Sequence, residues 1–425
     1  MNPIILMFIA FLVLLFLKVP IAYALGISSL IYVLTSDVSI AIIPEKMFYG
    51  INSFTMVCIP SFMLAGNLMN SGGITKRIVE FCNVFVGHIR GSLAYINILA
   101  SVMFAGISGT ALADVASLGS MLIPAMKDEG YDDDFSVSIT ASTSVIGPII
   151  PPSVPMVIAG TMTGISISKM FVGGIIPGLL MGIFFVIPTY IICKKKNYPK
   201  NERYSKSKKI KVIKNAIWAV IMPIILIGGI LSGIFTATEA SIVTVIYALI
   251  VGLFVYKDIK FKDVPIIFKN TIYSASSVII LVAIANLFAW ILTVERIPQQ
   301  IADGILNIST NYFIVIIIMN IILLFTGMFM ESIAAIIIMF PVLLPVALSV
   351  GMNPIQFSIM AILNLMIGLV TPPVGLCLTT ASQIGKVSVA KVLRANIAYY
   401  IVLFGVLITV SFIPQITTLL PEFVN

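Results

Sequence analysis

The sequence predicts an all-α membrane protein built from two copies of one unit inserted in opposite orientations. Three observations predict it: apolar runs from end to end, a repeat at constant spacing, and helix breaks in matching places. Of 425 residues, 60% are hydrophobic and 10% charged, and the mean hydropathy is +1.13. A soluble domain of this length needs far more polar surface. Several apolar runs, among them 4–17, 51–69, 175–193 and 392–413, are long enough to cross a hydrocarbon core of roughly 30 Å at about 1.5 Å per residue. The first run lacks a basic leader and a small-residue cleavage site, so no cleaved signal peptide is expected. The cysteines, Cys58, Cys82, Cys193 and Cys377, have no CxxC or metal spacing and read as packing residues.

The repeat lies at a separation of 221 positions. Asp37 aligns with Asp258, Pro44 with Pro265, Gly106 with Gly327, Pro124 with Pro345, Gly147 with Gly368 and Gly164 with Gly385. The best local match is Ile146-Gly147-Pro148-Ile149-Ile150-Pro151-Pro152 against Ile367-Gly368-Leu369-Val370-Thr371-Pro372-Pro373. The first inverted repeat is expected over 1–193, a basic cytoplasmic linker over 194–211, and the second repeat over 212–425. Spans are expected at about 4–17, 20–35, 50–70, 135–163 and 170–193, and again at about 212–231, 239–256, 271–292, 355–382 and 393–413. Five crossings per half is odd, so the second copy enters the membrane upside down. Between Lys18 and Pro20 the chain reads as a tight turn or as a kink in one helix; the repeat favours the turn.

Charge tests this topology independently. The net charge is +8, and ten of the 25 basic residues lie between Lys194 and Lys214. A basic loop between apolar spans is retained in the cytoplasm, which accounts for the charge without nucleic acid. With that loop inside, Lys18, Lys76, Arg77, Arg90, Lys127, Lys257, Lys260, Lys262, Lys269, Lys386, Lys391 and Arg394 also fall inside, and both termini fall outside. Segments 37–49 and 258–270 carry Asp, Pro and Lys, and read as interfacial arms or as ordinary loops.

Each half breaks its helices twice. The first break is a glycine-bearing tip, Phe104 to Thr110 and Phe325 to Glu331, between the short helices of a re-entrant hairpin at about 91–127 and 312–349. The second is Gly147 to Pro152 and Gly368 to Pro373, inside broken helices at 135–163 and 355–382; consecutive prolines remove amide donors and unwind the helix. Unwound backbone at membrane depth is tolerated where it is buried in protein or lines a cavity, and paired breaks in inverted halves point to a transport site. Kinks that serve packing alone are the alternative. Glu331, at the second tip, is the sharpest polar candidate or else a helix-start carboxylate; Asp114 could be structural.

Enzyme readings fare poorly. Gly106-Ile107-Ser108-Gly109 fits the GxSG pattern of intramembrane serine proteases, but the single histidine, His88, lies at a cytoplasmic boundary, out of reach as a base. No P-loop occurs, because Val387 follows Gly385-Lys386. A channel is disfavoured by the lack of a continuous polar stripe.

With these features in view, the chain resembles the large membrane subunit (M subunit) of tripartite ATP-independent periplasmic (TRAP) transporters. The matching stretches are 19–26, 65–70, the tip running into Ala113-Asp114, 123–126, 147–153, 238–240 and 327–331. The resemblance implies an elevator-type fold of the ion transporter superfamily and no enzymatic activity. It implies sodium-coupled import of a small organic acid, such as a C4-dicarboxylate or sialic acid, across the bacterial inner membrane. The hairpins and broken helices would move against a scaffold of arms and remaining spans. Partners would be a small four-helix membrane subunit and an extracytoplasmic substrate-binding protein; sodium ions would couple transport, with no cofactor. One sodium would lie among Ala105, Ser108, Gly147, Ile150 and Pro151, and a second among Thr326, Gly327, Gly368, Thr371 and Val374. The substrate would lie near Thr110, Ser153 and Glu331. Ala105 stands where relatives often have Ser, and Glu331 where many have Asp. A stand-alone sodium–dicarboxylate symporter of the same superfamily is the alternative.

Overall fold

A computed structural model describes residues 2–17, 19–200 and 203–424, apart from the side chains of Ile107 and Ser108. The described residues form helices and turns without strands. The first half runs α1 (Pro3–Phe16), α2 (Ile21–Thr35), α3 (Ile42–Ile51), a 3-10 turn (Phe54–Val57) leading into α4 (Cys58–Ser71), α5 (Ile74–Val86), α6 (Ser92–Ser108), α7 (Ala111–Asp128), α8 (Asp133–Thr143), α9 (Val154–Thr163) and α10 (Ile167–Lys196). The second runs α11 (Lys206–Leu231), α12 (Ala237–Ile250) ending in a π turn, α13 (Val264–Val294), α14 (Ile297–Ile308), α15 (Tyr312–Phe329), α16 (Ser332–Ser349), α17 (Pro354–Leu369), α18 (Leu376–Gly385), α19 (Val389–Phe412) and the short α20 (Gln415–Thr418). Seven of these helices are long and apolar enough to cross a membrane singly, or eight if the bent pair at α3 and α4 counts as one span.

The spacing of 221 found in the sequence carries into the helices. From the hairpins onward, α6, α7, α9 and α10 begin within one residue of where α15, α16, α18 and α19 begin, shifted by that amount. Pairings between halves follow the same symmetry: α9 packs on α16 as α18 packs on α7, and α4 packs on α12 as α13 packs on α2. Helices α1 and α2 pack on each other as two helices rather than one kinked one, although Lys18 of the expected turn lies outside the described residues.

Two expectations change. The first arm exists as α3, bent by 64° from the helix that follows, but 258–270 is no separate arm: its latter part is the start of the unbroken α13. The corner residues explain this. Gly50, Asn52 and Ser53 occupy the bend, whereas Thr271, Tyr273 and Ser274 stand at the matching places in α13, and glycine and asparagine are poorer helix formers than a run that can pack. A Cβ on Gly50 would lie 2.5 Å from that of Asn286, so only glycine lets this corner close. Secondly, α10 and α19, expected among the scaffold spans, pack on each other, on α17, and on α6 and α8 respectively. They belong to the hairpin group.

Helices α5 and α14 lie in stretches that were not expected to be helical. Both are amphipathic, with Ile74, Ile78 and Cys82 buried at helical spacing in the first. The basic linker is also more helical than expected, because α10 runs to Lys196 and Ser205 caps α11 by accepting from the Lys208 amide at 3.3 Å.

The broken helices form the centre: every residue of 135–160 and 356–370 is buried. Several of their polar side chains are matched to neighbours. Asn97 on α6 donates to Thr140 at 2.6 Å and accepts from Thr143 at 3.0 Å, bracing α8. In the second half, Asn364 on α17 donates to the Asn320 side chain on α15 at 2.7 Å. Such bonds between apolar helices contribute about 0.6 kcal/mol each, and fix which faces meet. Loops expected inside also meet at one end: Arg77 pairs with Asp258, Lys196 with Asp132 at 2.7 Å, Asn83 with Tyr204 at 2.8 Å, and Tyr131 stacks on Tyr198.

Candidate functional site

The two hairpin tips each dock on a broken helix of their own half. At the first, Gly109 ends α6 with φ of +62°, and its carbonyl accepts from the Val154 amide at 3.2 Å. A Cβ there would lie 2.8 Å from the Pro152 carbonyl oxygen, so glycine is required both by the conformation and by the space. A Cβ on Gly106 would lie 3.1 Å from the Pro223 ring on α11 and 3.7 Å from the Pro151 carbonyl oxygen. At the second, Gly327 and Gly368 touch backbone to backbone: a Cβ on Gly327 would lie 2.8 Å from the Leu365 carbonyl oxygen, and one on Gly368 would lie 2.6 Å from the Gly327 Cα.

Of the expected sodium residues, Gly327 and Gly368 form the second of these contacts. Ala105 and Ile150 are buried, Gly147 and Pro151 lie in the first break, and the Ser108 side chain is outside the described residues. Thr326 lies in the last turn of its hairpin helix, with its hydroxyl donated to the Ile322 carbonyl at 2.8 Å. The Thr371 hydroxyl is likewise donated to Ile367 at 2.7 Å, which leaves its lone pairs and the neighbouring carbonyls as the donor set toward a cation. Val374 is 39% exposed. The breaks therefore differ: the first is wholly buried, while Pro373 and Val374 in the second are exposed.

The three expected substrate residues share a role that the sequence did not disclose. Each caps a half-helix. Thr110 caps α7 by accepting from the Ala113 amide at 3.4 Å, and Ser153 caps α9 by accepting from Met156 at 3.2 Å. Glu331 caps α16: Oε2 accepts from the Ile333 and Ala334 amides at 2.9 and 3.4 Å, and Oε1 from the Ser332 hydroxyl at 2.9 Å. The helix-start reading of Glu331 is thus realised, whatever else the carboxylate does. The fourth half-helix, α18, begins at Gly375 without a side-chain cap. In its first turn the buried Cys377 lies near Ser144, Asp114 and Glu331, so residues from both halves approach one another there. Helix N-termini carry partial positive charge, so the arrangement gathers four such ends around unwound backbone, an environment suited to an anion beside small cations.

Asp114, which the sequence leaves as a structural residue, sits against the first break. It is 1% exposed, and its Oδ2 lies so close to Gly147 that a Cβ there would collide with it. A buried carboxylate against the first break was foreshadowed by its place, four residues after the cap Thr110 and hence on the same side of α7.

Comparison with known proteins identifies the family. The family model for the tripartite ATP-independent periplasmic transporter, DctM component, matches residues 8–416. The sialic acid TRAP transporter large permease protein SiaM of Vibrio cholerae is 42% identical, covering 96% of each chain. The C4-dicarboxylate large permease DctM of the same species is 36% identical, over 98% of this chain and 97% of that one. The 2,3-diketo-L-gulonate large permease YiaN of Escherichia coli is 34% identical, over 96% of each. Among solved structures, the Alcanivorax borkumensis YdaH transporter superposes with a TM-score of 0.65 over 89% of each chain at 12% identity, which speaks to the fold alone.

Proposed function

The chain belongs to the DctM family of TRAP transporters, large membrane permeases and not enzymes, and from that premise we propose that it imports a small organic acid anion coupled to sodium, by displacement of its hairpin group against a scaffold. A small membrane subunit and a periplasmic binding protein complete the system in this reading, in a bacterial inner membrane with loop 194–214 inside and both termini outside. The observation that carries it is the set of four half-helix N-termini beside two proline-bearing breaks, with the starts of α7 and α9 joined through Gly109 and Val154 and the start of α18 near Asp114 and Glu331. Anionic groups favour the helix ends, and carbonyls freed by Pro151, Pro152, Pro372 and Pro373 favour a small hard cation. Ala105, Ser108, Gly147, Ile150 and Pro151 would hold one sodium, Thr326, Gly327, Gly368, Thr371 and Val374 the other, and Thr110, Ser153 and Glu331 would border the substrate.

Displacement is supported by an asymmetry between otherwise matched halves. In the first half, α4 and α5 make their main hairpin contact with the incoming helix α6; in the second, α13 and α14 make theirs with the outgoing helix α16. One sequence unit thus holds two dockings at once, as expected of a group resting at one end of a path. For substrate, the highest of the three identities, to the sialic acid permease, makes that acid the first to test, with C4-dicarboxylates and keto sugar acids beside it.

The test is uptake into proteoliposomes containing this chain and its small partner, with the binding protein outside. Uptake of an acid should collapse when sodium is replaced by potassium; unchanged uptake refutes sodium coupling.

A further inference from the structure

Three hydroxyls join the scaffold corner to the hairpin group in the first half. Ser53 and Thr55 lie 2.7 Å apart at the bend between α3 and α4, and Thr55 lies 3.2 Å from Thr161 on α9. The Thr161 proton is committed to the Val157 carbonyl at 2.8 Å, so Thr161 accepts from Thr55, which accepts from Ser53. Shifted by 221 positions, these residues become Ser274, Ser276 and Ser382: all three are hydroxyls again. Their situation differs. Ser382 on α18 is 5% exposed, and its hydroxyl has no hydrogen-bond partner among the described residues. Ser276 on α13 is exposed and borders a cavity of about 310 Å³ between α4 and α13. A buried hydroxyl without a partner is costly and uncommon in a settled arrangement.

We propose that these hydroxyls are alternating latches, Thr55 to Thr161 holding the hairpin group in the arrangement seen here and Ser276 to Ser382 holding it at the other end of its path. The inference rests on the displacement reading above. It follows from the inverted symmetry: a position in which the second half takes the docking now held by the first brings α18 to α13 as α9 now meets the corner at Thr55. Ser382 then gains the partner it lacks, and Thr161 loses its own. Either latch alone is weak, which suits a contact that must open in each cycle.

The test uses the full chain with its small partner in proteoliposomes, with the four native cysteines replaced by serine or alanine. One variant carries Thr55→Cys with Thr161→Cys, the other Ser276→Cys with Ser382→Cys, and both are oxidised with copper phenanthroline with and without sodium and substrate. Both pairs should crosslink, their yields should change in opposite directions with sodium and substrate, and each crosslink should arrest uptake until reduced. A Ser276–Ser382 pair that never crosslinks while the first does overturns the latches; the displacement reading survives that result if the first crosslink still arrests uptake, and falls if neither crosslink does. Thr55→Val, added to the second variant, keeps the side-chain shape and should raise crosslinking at 276–382 by about two- to tenfold, the population shift of one hydrogen bond. No change, in a protein of unaltered melting temperature, overturns the proposal as well.

Discussion

Replacing Gly368 by alanine places a methyl group 2.6 Å from the Cα and 2.7 Å from the carbonyl oxygen of Gly327. Real Cβ atoms do not approach so closely, and the obstacle is backbone, so no rotamer relieves it. The end of α15 must move from α17, together with the Asn320–Asn364 brace two turns away. Overpacking of this kind costs about 1–3 kcal/mol. Alanine also gains up to about 1 kcal/mol of helix propensity over glycine, which would obscure the clash if measured alone. Gly405→Ala supplies the comparison: it lies within α19, and its Cβ would meet nothing within 4 Å. Gly368 is the penultimate residue of α17, so its propensity gain is the smaller, and only a difference beyond about 1 kcal/mol reports the clash. Thermal unfolding in one detergent should place Gly368→Ala below Gly405→Ala by about 1–3 kcal/mol, and sodium-driven uptake should fall in the first variant only. Equal melting would refute the backbone contact, and with it the docking of the second hairpin described here.

Glu331→Gln keeps the volume and one acceptor for the α16 cap, so a stability loss of no more than about 1 kcal/mol is expected, whereas loss of a charge-assisted ligand contact lowers affinity about ten- to hundredfold. Uptake reduced no more than the folded fraction would confine Glu331 to capping. A cysteine at Lys208 should resist an impermeant reagent from outside while one at Glu422 reacts, in a chain whose own four cysteines are buried; the reverse pattern removes the inverted topology. The hydrogen bond from Lys196 holds the Asp132 carboxyl below its usual range. Its contribution to stability is therefore present above the ordinary aspartate pKa and lost as pH falls through the depressed value. The acid limb of a melting-temperature profile should flatten slightly in Asp132→Asn, and an unchanged limb would show that the exposed pair is energetically silent.

Much of this protein was legible from its residues alone. Glycine and proline act through the backbone, so Gly109, Gly147, Gly368 and the Pro-Pro pairs announced the breaks without any knowledge of neighbours, and repetition at one spacing announced the two halves. Charge marked the loops, where Lys196, Lys127 and Arg77 each meet an aspartate. What the sequence left open depended on contacts between distant segments. Thr110, Ser153 and Glu331 are polar residues near breaks in any reading; that each caps a helix end depends on where the chain turns back toward its own amides. Asp114 matters because α7 lies against Gly147. Helices α5 and α14 were hidden because an amphipathic stretch gains its stability from the surface it covers. The unequal docking of the halves is the clearest case. Matched sequences favour matched local structure, and only the packing of one group against the other selects which of two near-equivalent arrangements each half adopts.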